Sequence, residues 1–151
     1  MNLTTRVGNP LSKEGIELLT ESYVLMSSLY PEEDNHALSI GEFKADNIHF
    51  IIAEKNQIPC GCGAVAFQPL YGELKSIFVK KNSRGLGIGK LIITDLEKEA
   101  KGRQIKKLNL ETGADLSQAI QLYTLLGFKE CGPFGKYKAG PHSLFMTKAL
   151  S

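Results

Sequence analysis

The feature of this sequence that most limits its possible folds is the run Arg84-Gly-Leu-Gly-Ile-Gly-Lys90, which places a glycine at every second position. The residues before this run have the composition of a β-strand, and residues 87–101 carry apolar side chains at helical spacing. Glycine in such a connection costs backbone entropy, so the position must need bare backbone. The sequence therefore predicts a strand–loop–helix unit whose loop meets another group through its main chain.

Three phosphate-binding patterns can be tested against this loop. A P-loop requires G-x-x-x-x-G-K followed by Ser or Thr, but Gly89-Lys90 is followed by Leu91, and Arg84 stands where the first glycine belongs. A dinucleotide fingerprint, G-x-G-x-x-G, fails in both registers, because its third glycine falls on Lys90 or Ile92. The remaining pattern, Arg-x-x-Gly-x-Gly before a long helix, favours a pyrophosphate held by successive N–H groups at the positive helix end. A tight turn without a ligand is the alternative, but it does not require three alternating glycines.

The charges of the chain are unevenly placed, although the net charge is only +2. Residues 1–79 carry ten acidic and five basic side chains, whereas residues 80–107 carry nine basic and three acidic ones. A basic excess around the glycine loop is typical of an anionic ligand at that place. The domain as a whole lacks the basic character of a nucleic-acid-binding surface, so we expect no nucleic-acid partner.

Length and composition limit the number of domains and the classes of protein to which the chain can belong. The 151 residues have the size of one ordinary domain, which we expect to span 1–151. No stretch approaches the ~20 apolar residues of a membrane span, and no signal-peptide pattern begins the chain. Cys60, Cys62 and Cys131 form neither a disulfide framework nor a zinc pattern. We therefore expect a cytoplasmic protein with reduced thiols, no metal and no membrane partner.

The apolar periodicity predicts the element order β-α-α-β-β-β-α-β-α-β-β. The first helix follows Ser12 as N-cap, and a second short helix is predicted from Ile40 to Lys44. Three strands precede the glycine loop, at about 48–54, 58–67 and 72–80. For the first helix we expect an inward face of Ile16, Leu19, Tyr23 and Met26. Hairpin-linked strands followed by a strand–helix–strand unit predict an α/β protein, a mixed sheet with helices on both faces.

The glycine loop and its flanks resemble a known superfamily. The run "RGLGIG" after "ELKSIFVKKNS" is similar to the acyl-CoA-binding motif of GNAT N-acetyltransferases, and "AIQLYTLLGF" is similar to their helix ending in L-Y-x-x-x-G-F. The match covers residues 73–131 in order and spacing and residues 1–72 through element order, as in small, single-domain bacterial members. The resemblance implies the GNAT-like acyl-CoA N-acyltransferase fold, with acetyl-CoA as cosubstrate.

The resemblance also implies the cofactor contacts. In this family the strand before the loop separates from its neighbour, and pantetheine amides pair with its exposed edge. Carried over, the contacts to pantetheine come from Ile77, Phe78 and Val79, and the pyrophosphate is cradled by Arg84, Gly85, Leu86, Gly87, Ile88, Gly89 and Lys90. One position departs from the family, which often has Asn where this chain has Leu116, so that contact to the cofactor is in doubt.

Catalytic and acceptor-binding residues follow from the same resemblance. Tyr123 occupies the position whose phenol points at the CoA sulfur and can protonate it; its alternative is a core tyrosine. Glu73 occupies a place where a carboxylate serves as base; its alternative is a solvated, half-exposed strand end. Glu33 and His36 lie in a loop that walls the acceptor pocket in the family, and His36 is a second candidate base. A plain polar loop is the alternative for both.

The function implied is the transfer of an acetyl group from acetyl-CoA to an amine of a small molecule, by direct attack in a ternary complex. The acidic first half of the chain leans towards a cationic acceptor. Two other functions stay open: a CoA-binding sensor or partner-binding module without turnover, and an acetyltransferase for a peptide or protein amine. Tyr123 and Glu73 separate the classes, because a pure binder needs neither. The sequence leaves open whether the protein is a monomer or a homodimer.

Overall fold

The structure, a computed structural model, describes residues 1–29 and 46–151, and its elements follow the predicted order. The strands are β1 Leu3–Val7, β2 Ile48–Lys55, β3 Ile58–Phe67, β4 Gly72–Val79, β5 Lys107–Gly113, β6 Lys129–Cys131 and β7 Ser143–Ala149. The α-helices of the described part are α1 Lys13–Leu29, α2 Ile88–Gly102 and α3 Ser117–Leu125, and a short 3₁₀ helix covers Lys81–Ser83. The predicted mixed α/β fold is confirmed. The short helix predicted from Ile40 to Lys44 lies outside the described residues.

All seven strands form one sheet in the order β1-β2-β3-β4-β5-β7-β6. Neighbouring strands are antiparallel except β4 and β5, which are parallel and joined through α2. This pair shares three residue positions, Gly72 with Leu108, Glu73 with Asn109 and Leu74 with Leu110. Beyond Leu74 the two strands separate, so the sheet opens at the carboxyl end of β4, where the glycine loop begins.

A bulge in β4 accompanies this opening. Cys62 of β3 lies opposite Phe78, but Ala64, two residues further, lies opposite Lys75, so β4 holds one extra residue there. Within the bulge, Ser76 adopts a left-handed backbone with φ of 52°. A bulge bends its strand and disrupts the local ladder. It therefore turns the second half of β4 away from the line that pairing with β5 would require.

The two faces of the sheet carry separate apolar clusters. The face under α2 and α3 includes Ile92 and Leu96 against Val65 of β3. The other face packs Leu18 and Leu19 of α1 against alternate residues of β2 and β3. Strand residues therefore alternate between the two clusters, as the pleat of a sheet requires. None of the described helices is long and apolar enough to cross a membrane.

The helix α1 starts as predicted but turns a different face inward. The Ser12 hydroxyl accepts a hydrogen bond from the Gly15 N–H at 3.1 Å, so Ser12 is the N-cap. The predicted inward face was wrong in part, because Ile16 is 40% exposed and Tyr23 is 44% exposed. Leu18, Leu19 and Ser22 are buried instead. Apolar residues lie on most sides of α1, so their periodicity cannot select the side that meets the sheet.

Candidate active site

The separation of β4 and β5 produces a cleft of about 650 Å³, which we call the β4–β5 cleft. It is lined by the second half of β4, the glycine loop, the start of α2, one face of α1 and the first turns of α3. Of the residues predicted from sequence, it brings together Ile77, Phe78, Val79, Arg84, Gly85, Gly87, Ile88, Gly89, Lys90 and Tyr123. Leu86 belongs to the loop but does not line the cleft, whereas Leu116 does.

Each glycine of the loop has its own physical reason. Gly85 has φ of +79° and Gly87 has φ of +84°, a left-handed conformation that side chains disfavour. A Cβ at either position would meet no protein atom within 4 Å, so the loop turns its bare side towards open space. Gly89 differs, because a Cβ there would lie 3.0 Å from the Cδ2 atom of Leu122. Two glycines therefore set the shape of the loop, and the third lets α2 pack closely on α3.

The amino end of α2 presents main-chain donors to the cleft. Gly87 is its N-cap and offers no side chain, and the first intrahelical bond runs from the Leu91 N–H to the Gly87 carbonyl oxygen at 3.1 Å. The N–H groups of residues 85–90 donate to no acceptor within the described chain. Together with the helix dipole, these donors form an anion-binding surface. The Lys90 side chain, which also lines the cleft, adds a positive charge.

The end of β4 is an exposed strand edge held in place by the loop. Beyond Leu74 no residue of β4 pairs with β5, so main-chain groups of residues 75–79 face the gap on that side. The Arg84 Nε donates a hydrogen bond to the Val79 carbonyl oxygen at 3.2 Å, which ties the loop to the strand. An extended chain carrying amide groups can pair with such an edge as an added strand.

Tyr123 joins the cleft from α3. Its ring packs edge-on against Phe128, with centroids 5.9 Å apart, and only 8% of the residue is exposed. The helix ends at Leu125, and Gly127, with a φ of 100°, turns the chain so that the Phe128 N–H donates to the Tyr123 carbonyl oxygen at 3.0 Å. Burial raises the pKa of the Tyr123 phenol to about 12, so it is a hydrogen-bond donor at any working pH. Its hydroxyl makes no hydrogen bond within the described chain.

The three thiols stand apart from the cleft. Cys60 and Cys62 are buried, Cys131 is partly buried, and all three are free, as the sequence predicts. Burial raises the pKa of Cys62 to about 12 and also raises the pKa of Cys60 and Cys131. A thiol with a raised pKa is a poor nucleophile at neutral pH. None of the three is therefore placed to carry an acyl group as a covalent intermediate.

Glu73 lies in a different environment from the one expected. The sequence suggested a half-exposed strand end, but the residue is only 8% exposed. Its Oε2 atom accepts a hydrogen bond from the Tyr137 hydroxyl at 2.6 Å and lies 3.4 Å from the Lys75 Nζ. Lys75 also donates to the Tyr137 Oη at 2.8 Å. The turn Tyr71-Gly72 was expected to leave Glu73 in solvent; the connection between β6 and β7 covers it instead.

Residues 132–142, which we call the β6–β7 loop, form this cover. Phe134 packs edge-on against Tyr71, Tyr137 and Phe145, with ring centroids 5.2–5.7 Å apart. Burial, followed by the nearby negative charge of Glu73, raises the pKa of the Tyr137 phenol. Between the loop and β4 lies a second cavity of about 850 Å³, the loop cavity, which includes Glu73 in its lining.

Several lining residues were not found by sequence reasoning. Tyr137 of the loop cavity was missed, as were Ser22, Leu25 and Met26, which bring α1 to the β4–β5 cleft. Lys75, which lines neither cavity but contacts Glu73 and Tyr137, was also missed. Two aromatic residues in the Gly/Pro-rich β6–β7 loop were the available signal for Tyr137, since a solvated loop has little use for them. The predicted acceptor-site residues Glu33 and His36 lie outside the described residues. Residues 1–29 and 46–151 contain no cluster of side chains that could hold a metal ion.

Comparison with known proteins places this geometry in a family. Residues 14–128 match the model of the acetyltransferase (GNAT) family. An IAA acetyltransferase of Azospirillum brasilense is 37% identical over 99% of both chains. A solved structure from Klebsiella pneumoniae, provisionally assigned as an acyl-CoA N-acyltransferase, has a TM-score of 0.83 and 28% identity, covering 99% of this chain and 98% of that one. A GNAT acetyltransferase of Elizabethkingia anophelis with acetyl-CoA bound has a TM-score of 0.73 and 21% identity, covering 99% of both chains.

Proposed function

The chain belongs to the acetyltransferase (GNAT) family, and from this premise we propose that it moves an acetyl group from acetyl-CoA to an amine of a small molecule. One observation carries the proposal. The unpaired edge of β4 and the bare amino end of α2 meet in a single cleft, so a chain of amides and a pyrophosphate can be held together. Acetyl-CoA combines these two parts, with its thioester at the far end of the amide chain.

The transfer proceeds by direct attack in the ternary complex. The amine nitrogen forms a bond to the thioester carbonyl carbon, the carbon–sulfur bond breaks, and CoA leaves as a thiolate. The amine loses one proton on the way to the amide. The raised pKa values of Cys60, Cys62 and Cys131 support this route over one through an acetyl-cysteine.

Main-chain and phenolic donors stabilise the charges that develop. An N–H of the segment Ile77 to Val79, at the carboxyl end of β4, polarises the thioester carbonyl, where the tetrahedral intermediate builds negative charge. Tyr123 donates a hydrogen bond to the departing sulfur. Its pKa of about 12 lies well above the ~8.5 of an ordinary thiol, so full proton transfer to the thiolate is unfavourable. The phenol therefore acts as a hydrogen-bond donor to the thiolate more than as an acid.

Glu73 is the base that the described residues support best. Its Oε2 atom is fixed by Tyr137 and Lys75, whereas Oε1 has no hydrogen-bond partner within the described chain. A carboxylate held by one oxygen can take a proton from the amine, directly or through water, with the other. His36 stays an alternative base, and Glu33 stays a predicted acceptor contact.

The acceptor is the least defined part of the function. The IAA acetyltransferase relative supports a small-molecule acceptor, while a peptide or protein amine is the alternative within the same reaction class. A sensor that binds CoA without turnover is the alternative from another class, and it would need neither Tyr123 nor the held carboxylate of Glu73. A cytoplasmic location and a homodimer stay predictions.

Thiol release from acetyl-CoA, measured against amines, amino acids and short peptides, tests the proposal directly. We expect acceptor-dependent release and a mass increase of one acetyl group on the acceptor. Binding of acetyl-CoA with no release for any acceptor would support the sensor. Thiol release with peptides alone would assign the acceptor to peptide or protein amines instead of small molecules. Intact mass of the enzyme after incubation with acetyl-CoA alone should be unchanged, because no thiol is placed to accept the acetyl group.

A further inference from the structure

We propose that the acceptor is an amino acid with an aromatic or apolar side chain, held in the loop cavity by its carboxylate. The inference rests on the proposed acetyl transfer and narrows its substrate class. The loop cavity borders β4, as the β4–β5 cleft does, and the two sets of lining residues meet through this strand. From Glu73 to the bulge at Ser76 is three residues, or about 10 Å of strand. An amine held on this stretch of β4 lies between Glu73 and the end of the strand that faces the cleft, and water can carry its proton over the remaining distance to the carboxylate.

The charges of the loop cavity favour a ligand that carries both signs. Its lining contains one carboxylate, Glu73, and two ammonium groups, Lys136 and Lys138, among the described residues. Both lysines are exposed, and neither forms an ion pair within the described part of the chain. Lys75 lies behind Glu73 and already pairs with it. An amine directed at Glu73 and a carboxylate directed at the lysines would match this arrangement.

The same charges argue against a purely cationic acceptor. The acidic first half of the chain favours such an acceptor when charge is averaged over the sequence. Local charge at the cavity decides binding, however, because charges separated by more than ~10 Å are largely screened at ordinary salt. In the described lining the positive side chains outnumber the negative one, so a cation without a carboxylate would leave both lysines unpaired.

Aromatic side chains form the apolar part of the cavity. Tyr71 and Tyr137 line the cavity, and the Phe134 ring packs edge-on against both of them. Gly135 allows this packing, since a Cβ there would lie 2.9 Å from the Tyr71 hydroxyl, and its φ is +58°. The wall is thus built before a ligand arrives. Its rings offer apolar and edge-on contacts to a side chain of similar kind.

The test compares matched acceptors and matched lysine variants. Aromatic and aliphatic amino acids are each assayed beside their amides and their decarboxylated amines, with rates corrected for the fraction of free amine. We expect kcat/KM to be about tenfold or more higher for the free amino acids. In Lys136→Ala/Lys138→Ala this preference should disappear because kcat/KM falls for the free amino acids, and the affinity for acetyl-CoA should match that of the parent protein.

Two further variants exclude indirect effects. Lys106→Ala/Lys107→Ala removes the same charge from exposed positions that line neither cavity, and it should keep the preference. Lys136→Arg/Lys138→Arg should retain most of the preference for free amino acids, because both positive charges remain. Equal rates for amino acids and decarboxylated amines, or an equal loss for all acceptors in the alanine variant, would overturn the inference and leave acetyl transfer intact. Acetylation of no amine at all would overturn both.

Discussion

The β4–β5 cleft and the loop cavity lie along the same strand but are built from different parts of the peptide. Beside side chains of α1 and α3, the cleft offers main-chain groups of one continuous stretch, residues 77–90, with glycine where the backbone must be bare. The loop cavity draws on side chains far apart in sequence, and its central contact joins Glu73 to Tyr137 across 64 positions. Main-chain recognition depends on conformation, whereas side-chain recognition depends on which residues the fold brings together.

This difference implies that acetyl-CoA and the acceptor are recognised in different ways. In the proposed function acetyl-CoA is bound by backbone groups, which substitutions of surface side chains do not remove. In the same proposal the acceptor contacts side chains such as Lys136 and Lys138, which line the loop cavity and lie outside the sheet. If this division holds, variants of the loop cavity should alter acceptor kinetics alone, and variants of the glycine loop should alter acetyl-CoA binding alone.

The largest effect is expected in the loop cavity. Glu73→Gln keeps the size of the side chain but removes the proposed base, so kcat/KM at neutral pH should fall by about 100-fold or more. The rise of activity with pH should move upward towards the pKa of the acceptor amine, because the amine must then arrive deprotonated. A pH profile of kcat/KM for both proteins, with one good acceptor, measures this shift.

Two further readouts qualify that experiment. Because Glu73 is buried and hydrogen-bonded, Glu73→Gln should also lower the free energy of unfolding, by about 1–3 kcal/mol. The assay is therefore run below the melting temperature of the variant. Superimposable pH profiles would remove Glu73 from the mechanism and leave His36 as the next candidate base.

The next effect concerns the glycine loop. Gly87→Glu places a carboxylate and a Cβ at a left-handed position that faces the open cleft. Repulsion of the pyrophosphate and backbone strain should weaken acetyl-CoA binding by about 100-fold, or about 2.7 kcal/mol. Calorimetric titration measures the affinity.

Gly102→Glu supplies the control at the opposite end of the same helix. A Cβ there also meets no atom within 4 Å, so it adds the same charge in open space. Its affinity for acetyl-CoA should match that of the parent protein. Equal affinity in the Gly87→Glu and Gly102→Glu variants would mean that the loop does not hold the cofactor.

A smaller effect is expected for the phenol of the cleft. Tyr123→Phe removes one hydrogen bond to the leaving sulfur and keeps the ring packed on Phe128. A bond to a charged group is worth about 1.5–3 kcal/mol, so kcat should fall about 10- to 100-fold with little change in acetyl-CoA affinity. Tyr23→Phe, at an exposed position of α1, is the control.

The pH dependence of this effect follows from the raised pKa of Tyr123. Its phenol holds its proton until about pH 12, above the ordinary value near 10. The ratio of parent to variant kcat should therefore stay constant from about pH 6 to pH 10. An unchanged kcat where chemistry limits turnover would return Tyr123 to the role of a core residue.

The smallest effect on activity is expected for the covering loop. Tyr137→Phe keeps the aromatic cluster but removes the donor to Glu73 and the acceptor for Lys75. We expect a loss of about 1–3 kcal/mol in unfolding free energy and only a several-fold change in kcat/KM. A double-mutant cycle with Glu73→Gln should give a coupling of about 1 kcal/mol. Additive losses would show that the negative charge of Glu73 adds nothing to the 2.6 Å contact with Tyr137.

The strands, the loop and the helix that form the cleft could be predicted from local sequence. The predicted strands at 48–54, 58–67 and 72–80 agree with β2, β3 and β4 within a residue at each end. Turns at 56–57 and 68–71 and alternating apolar residues mark these boundaries locally. The glycine loop could also be predicted from sequence, because left-handed backbone positions such as Gly85 and Gly87 favour glycine.

Which side chains contact one another could not be predicted in the same way. Nothing near Glu73 in sequence shows that it is buried, since its cover comes from the β6–β7 loop. Ile16 and Tyr23 were expected to face the core but are exposed. The helix α1 is apolar on several sides, and only one of these sides packs against the sheet. The local sequence indicates the backbone conformation of one segment. The partners of a side chain depend on packing between distant segments, and a pattern of a few residues carries no information about them.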